Sequence, residues 1–213
     1  AALVWSESRF RIQASSPRGA LGLMQMMPRT ADRYDIENLL DPKENIEAGA
    51  AYIARLQNKF RDTALNNEEL VKFTLAAYNA GEGRIYDCVN LARSQGVNPS
   101  TWESLCAVLP QMSQDSIKFV EDVRYGKFKG RETMAYVKAV LNQYDIFNGT
   151  TPRYKVQPAD TALTPARETV DAGEILLSPD SLSRIDLGDE QARDQEQEHD
   201  DQPGKQVSGK HGR

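Results

Sequence analysis

Histidine is missing where chemistry would use it. The 213-residue chain has two, His199 and His211, both in its polar C-terminal stretch. The first ~150 residues, the size of one typical domain, contain none. That removes Ser-His-Asp and Cys-His nucleophile systems and the common His-ligated zinc sites. Cysteine is as scarce, with Cys88 and Cys106 alone. Two thiols make no structural zinc site without other ligands. They form either a disulfide, if the protein is exported, or two separate buried thiols that behave as small apolar residues; the sequence leaves both open. No apolar run approaches the ~18 residues of a membrane span, and no signal-peptide pattern is visible. Positive charge is also short. Lys and Arg total 26 against 31 Asp and Glu, for a net charge of −5, which argues against nucleic acid as the main partner. The phosphate-binding and dinucleotide glycine motifs are absent, and Gly81-Glu82-Gly83 reads as a bare turn signal.

What is present fits one helical domain with an appendage. Hydrophobic residues make up 39% of the chain, enough for one good core. The chain opens with Ala-Ala-Leu-Val, already in a helix-like pattern. It reads as a piece of a larger parent, so a missing leader says nothing about export. Asp41-Pro42-Lys43-Glu44 supplies an N-cap acid, a first-turn proline and a capping-box glutamate. Ile46, Ala50, Ile53, Leu56 and Phe60 follow at helical spacing. Asn66-Asn67-Glu68-Glu69 starts a second helix through Leu70, Phe73, Ala76 and Ala77, which Gly81 and Gly83 stop. Ile117, Val120 and Val123 mark a short helix. Met134, Val137, Leu141 and Tyr144 mark the last, ending near Asn148-Gly149. Strand character is confined to a small extended ribbon near residues 16–26, where Gly19 and Gly22 allow tight turns. The expected domain is therefore 1–149. Residues 150–213 are rich in Pro, Thr and Asp and end in an acidic run. Such a composition does not offset its ordering entropy, so a disordered tail is expected.

One acid stands out. Glu7 lies in Trp5-Ser6-Glu7-Ser8-Arg9-Phe10, a short amphipathic helix. After it come Ser16-Pro17, Gly19, Gly22-Leu23-Met24-Gln25 and Met27-Pro28, then Asn45-Ile46 with Gly49 and Tyr52, then Ala77-Tyr78-Asn79-Ala80-Gly81, then Thr133 with Tyr136-Val137. This ordered series resembles the soluble lytic transglycosylase domain over about residues 1–148. Leu91-Ala92-Arg93-Ser94-Gln95-Gly96, with Asn98-Pro99, Trp102, Leu109-Pro110 and Ser113-Gln114, further resembles the membrane-bound lytic murein transglycosylase F branch.

The resemblance implies a mainly α, goose-lysozyme-like domain. It implies cleavage of the β-1,4 bond between N-acetylmuramic acid and N-acetylglucosamine without water, leaving 1,6-anhydro ends. Glu7 is then the acid/base. Ser16 orients near the substrate's N-acetyl group, Gln25 binds sugar groups, and Met24 and Met27 form an apolar groove wall. Tyr78 holds the Glu7 carboxyl, Asn79 binds substrate, and Tyr136 points back into the site. No metal or other cofactor is implied. The partner is the glycan strand, the domain is monomeric, and its place is the periplasm, with outer-membrane association through a part of the parent absent here.

The residue chemistry fits this role. Most glycosidases need two carboxylates; here the substrate's N-acetyl group steadies the cation and its own 6-hydroxyl attacks, so one suffices. A donor near neutral pH must be protonated, which asks for a desolvated pocket. Asp41 and Glu44 read as helix caps, and a second catalytic acid would instead make a hydrolase of the goose-lysozyme type. A non-catalytic glycan-binding module is the other alternative. Trp5 and Trp102 are aromatics that could stack sugars, Trp5 reading rather as core.

Overall fold

The computed structural model describes residues 1–121 and 123–155. The helices are α1 (Ala2–Ser8), α2 (Pro28–Ala31), α3 (Pro42–Phe60), α4 (Asn67–Ala80), α5 (Glu82–Ser94), α6 (Trp102–Val108) and α7 (Gly130–Phe147), with 3-10 turns at Leu109–Ser113 and Asp115–Phe119 between the last two. Among the described residues no strand forms. The expected ribbon is reduced to two isolated antiparallel bridges, Ser15 with Leu21 and Leu21 with Met26. The mainly α expectation holds. The acidic run and the rest of the expected tail from 156 lie outside the described residues.

The helix starts follow their caps. Asp41 Oδ1 accepts from the backbone N–H of Glu44 at 2.9 Å, and Asn66 Oδ1 accepts from that of Glu69 at 3.0 Å. Each satisfies one N–H that a helix start leaves without a partner. Glu44 does not return to Asp41; its Oε2 takes the N–H groups of Glu37 and Asn38, stitching the approach loop to α3.

The core joins α4 to its neighbours. α4 packs on α3, α5 and α7, and α1 lies on α7. Phe60, Phe73, Leu56, Ile85, Leu105, Leu109 and Val137 are fully buried between these helices. The α4 stripe of Leu70, Phe73, Ala76 and Ala77 is buried as its spacing predicts.

The other stripes shift. On α3 the buried face is Asn45, Ala48, Gly49, Leu56 and Phe60, while Ile46 is 44% exposed. A polar residue, Asn45, has taken the inward place at the start of the helix. On α7, Val137 and Leu141 are inside, but Tyr144 is 54% exposed. The buried face of its last turns is polar, Asn142 and Asp145. The short helix expected over Ile117–Val123 is the 3-10 turn Asp115–Phe119, after which Val120 is extended.

Gly81 ends α4 with φ 96, and α5 begins at the next residue. The turn signal is therefore a corner between two helices. Ile85, Cys88, Val89 and Ala92 on α5 are completely buried. Cys88 and Cys106 are free thiols. Burial pushes both thiols up, that of Cys106 to about 12, so neither is poised as a thiolate. Trp102 is 6% exposed and belongs to the core. Its backbone N–H is taken by Glu69 Oε2, and Glu69 Oε1 also pairs with Lys72, which ties the start of α6 to α4.

Past α7 the chain folds back. Asp145 accepts from Arg153 through the backbone N at 2.9 Å, Nε at 2.9 Å and Nη2 at 2.6 Å. Asn142 and the Tyr154 backbone exchange two hydrogen bonds. The Arg153 guanidinium holds the Asp145 carboxyl below the usual carboxylate range. A carboxyl lowered on folding stabilises above its unfolded pKa of about 3.9, and that contribution is lost as pH falls through the folded value. The hydrogen-exchange protection factors of the Arg153 and Tyr154 amides, referred to the intrinsic rate at each pH, should hold down to about pH 4 and fall only below it. In Arg153→Ala the protection should already be gone at neutral pH.

Candidate active site

α1 is short and carries Glu7 on its inward face. The residue is 3% exposed, and Ser8 beside it is 1% exposed. Ser8 Oγ donates back to the Val4 carbonyl oxygen at 3.1 Å. The helix ends sharply, since Arg9 and Phe10 have φ 55 and 60. Two successive non-glycine residues in the left-handed region are costly. Packing holds them there. Trp5, Phe10 and Phe147 form an aromatic group with ring centroids 5.8 to 6.3 Å apart, and the Arg9 guanidinium lies 4.7 Å over the Trp5 ring. Trp5 thus braces the turn that follows Glu7.

Glu7 faces α7. The Tyr136 hydroxyl donates to Glu7 Oε1 at 2.5 Å, the range of a hydroxyl on a carboxylate. Tyr136 is itself only 7% exposed. The bond joins residues from opposite ends of the described chain.

The segment from Ala14 to Met27 is built from turns. Ser16 makes a tight loop with Ala20: its backbone N donates to the Ala20 carbonyl, and its Oγ accepts from the Ala20 N–H at 3.0 Å. Gln25 has φ 50 and is 5% exposed. Its Nε2 donates to the Ala14 and Gly22 carbonyls, both at 3.0 Å, while Oε1 is a buried acceptor with no protein partner. An unmatched buried acceptor is costly. The methionines divide. Met24 is 4% exposed, and a Cβ on Gly49 would lie 2.3 Å from its sulfur. Its side chain fills the small second core with Met26 and Ala48 and backs the site rather than lining its surface. Met27 is 41% exposed and is available as wall.

The end of α4 meets this segment. The Tyr78 hydroxyl donates to the Met24 carbonyl at 2.7 Å, with Met26 Sδ at 3.3 Å. Tyr78 therefore steadies the Met24–Met26 backbone. The neighbouring Asn79 accepts from Thr133 Oγ1 at 3.0 Å, linking the end of α4 to the start of α7. Asp41 and Glu44 are occupied with backbone N–H groups, and Asp35 is exposed on a left-handed turn.

Residues 1–100 match the family model described as Transglycosylase SLT domain. The chain belongs to this family. The membrane-bound lytic murein transglycosylase F of Shewanella sediminis (strain HAW-EB3) is 38% identical over 145 residues, covering 68% of this chain and 30% of that protein. The protein of the same name from Histophilus somni (strain 2336) is 33% identical over 175 residues, covering 79% of this chain and 36% of its own. The chain thus spans about a third of the length of these curated relatives. Both carry the name of the branch that the stretch from Leu91 to Gln114 resembles. The crystal structure of the 70 kDa soluble lytic transglycosylase from Escherichia coli matches with a TM-score of 0.42 and 33% identity, over 71% of this chain and 22% of that one.

In this SLT domain the central polar residue is Asn45, which the motif pattern includes without giving it a task. It is wholly buried. Its Oδ1 accepts from the Met24 N–H at 2.7 Å, and its Nδ2 donates to the carbonyls of Leu21 at 3.0 Å and Leu39 at 2.8 Å. Gly22, at φ +77, leaves room for it: a Cβ there would stand 2.3 Å from Asn45 Nδ2. The signal that could have found it is the inward place of a polar residue, one position before Ile46. Asn45→Ala should cost about 1–3 kcal/mol, since it strands three buried backbone groups. Urea denaturation would measure this, and Asn45→Asp should be no rescue, because it lacks the two donors.

Proposed function

We propose that this SLT domain is the catalytic part of a peptidoglycan lytic transglycosylase. In this reading it cuts the β-1,4 bond between N-acetylmuramic acid and N-acetylglucosamine and leaves 1,6-anhydro ends. The observation that carries the reading is the buried Glu7 carboxyl with the Tyr136 hydroxyl on its Oε1. Burial disfavours the charged carboxylate and so favours an acid ready to donate. The hydroxyl bond orients the carboxyl and steadies the charge left on it after donation.

The steps follow from one acid. Glu7 gives its proton to the glycosidic oxygen as the bond to the muramic anomeric carbon breaks, and the N-acetylglucosamine end leaves as an alcohol. The muramic acetamido oxygen steadies the cationic carbon. The muramic 6-hydroxyl then attacks that carbon and returns its proton to Glu7, closing the anhydro ring and restoring the acid. Water takes no part, so no second carboxylate is required. Gln25 Oε1 supports the reading as a buried acceptor for a sugar N–H or O–H. Ser16, Met27 and Asn79 are assigned to substrate contact, and Met24 and Tyr78 to the backing of that surface. The substrate places the domain at the cell envelope, in the periplasm, acting as a monomer. Among the described residues no helix is long and apolar enough to cross a membrane.

Mass spectrometry of digested sacculi tests the reaction. Anhydromuramic ends are expected, and reducing ends would make the enzyme a hydrolase. Glu7→Gln should slow turnover by about 10²–10⁴-fold, the usual worth of a positioned acid, with binding to sacculi retained. Undiminished lysis by that variant would take Glu7 out of its role.

A further inference from the structure

The proposed reaction leaves two buried acids unused, Asp145, which Arg153 clasps, and Asp87. Asp87 on α5 is 1% exposed, and an uncompensated carboxylate at such a place is expensive. Both its oxygens are committed to a neighbouring segment of backbone. Oδ1 accepts from the Arg124 N–H at 2.9 Å, and Oδ2 from the Tyr125 N–H at 2.7 Å. Charge-assisted bonds to two successive amides hold this stretch in a single position.

The residue so held is aromatic and turned outward. Tyr125 is 64% exposed, although an aromatic ring has much to gain from burial. Below it is Gly83. A Cβ built on Gly83 would lie 2.6 Å from each of three consecutive ring atoms of Tyr125, Cγ, Cδ1 and Cε1. A point equally far from three adjacent atoms of a hexagon lies on the axis of the ring. The ring therefore rests face-down on the bare glycine backbone, and its other face is open. Any residue larger than glycine at 83 would displace it.

The platform stands at the corner that carries the site. Gly83 is in the first turn of α5, just past Tyr78, Asn79 and the Gly81 corner. The chain runs on from Tyr125 into α7, where Thr133 bonds Asn79 and Tyr136 bonds Glu7. A flat aromatic face, open to water and fixed from behind, suits the apolar face of a pyranose ring, which presents C–H groups over the π cloud.

We propose that Tyr125 is a sugar-stacking platform for the glycan strand, set by the Asp87 carboxylate and by the missing side chain of Gly83. The proposal rests on the reading of this domain as one that acts on peptidoglycan glycan. Tyr125 binds substrate, whereas Asp87 and Gly83 are positioning residues that act through it.

The test is kinetic, on soluble uncrosslinked peptidoglycan strands. Tyr125→Ala and Tyr125→Leu should raise KM roughly five- to tenfold, as expected for loss of one aromatic contact, with kcat little changed. Tyr125→Phe keeps the flat face and should behave as the parent. Gly83→Ala should raise KM with the aromatic still present and should add nothing in a Tyr125→Ala background. Unchanged KM in Tyr125→Ala, or additive effects in the double variant, overturns the proposal. Binding of the same strands in a Glu7→Gln background separates this from the catalytic reading. If the protein releases no anhydro product but Tyr125→Ala still loses strand binding, the lyase reading falls and the platform stands. If turnover is normal and Tyr125→Ala binds as before, the platform falls alone.

Discussion

The three hydrogen bonds of the Asn45 amide are the constraint on which the rest depends. The segment from Ala14 to Met27 has only two isolated bridges and a few turns of its own. It has neither a helix nor a sheet to hold its shape. One buried side chain on α3 satisfies a donor and an acceptor of this segment and an acceptor of the Leu39 turn. The rigidity of a long helix is thereby lent to an irregular loop. Gly22 permits the approach, Gly49 receives the Met24 side chain, and Tyr78 takes the Met24 carbonyl from the side of α4. These contacts and the Asn45 amide act on the same stretch of backbone.

The acid itself is held from another direction. α1 is too short to be stable alone and owes its place to packing along α7. The aromatic group of Trp5, Phe10 and Phe147 fixes one side of α1, and the Tyr136–Glu7 bond fixes the other. The strained turn at Arg9 and Phe10 is the local consequence. It turns the chain away at once, so that the carboxyl faces α7 while the following segment crosses to α3. The site is therefore a meeting of a loop set by α3 and α4 and an acid set by α7, joined where Leu3 and Val4 of α1 pack against the Met24–Met26 cluster.

Much of this was legible in the sequence. The caps at Asp41 and Asn66 marked real helix starts because a side-chain acceptor at a helix start is a local matter. The α4 stripe was legible because Leu70, Phe73, Ala76 and Ala77 dominate its inward face, beside only two buried polar residues, Lys72 and Thr74. The misplaced helix faces share one cause. Where a buried face is polar, hydrophobic periodicity points to the wrong residues: Ile46 and Tyr144 are exposed because Asn45, Asn142 and Asp145 occupy the inward places. The glycines around Glu82 hid α5, since a glycine that closes one helix also serves as the cap of the next. At the site, the residue types were readable but their pairings were not. That the Tyr136 hydroxyl reaches Glu7 depends on how α1 lies against α7, a contact between distant parts of the chain that no local pattern encodes. The commitment of both Asp87 oxygens to the Tyr125 segment has the same origin.

The clasp beyond α7 has a mechanical consequence. Asp145 and Asn142 seize the backbone of Arg153 and Tyr154 in the last turns of the helix. With a rise of about 1.5 Å per residue, those turns lie on the order of 13 Å along α7 from Tyr136. The clasp therefore sits at the C-terminal end of α7, whereas the acid is met at Tyr136, nearer the start of the helix. Displacing Arg153 would first have to break the carboxylate–guanidinium pair and would then act on the last turn of α7. The bond between Tyr136 and Glu7 lies about two and a half turns back along the same helix.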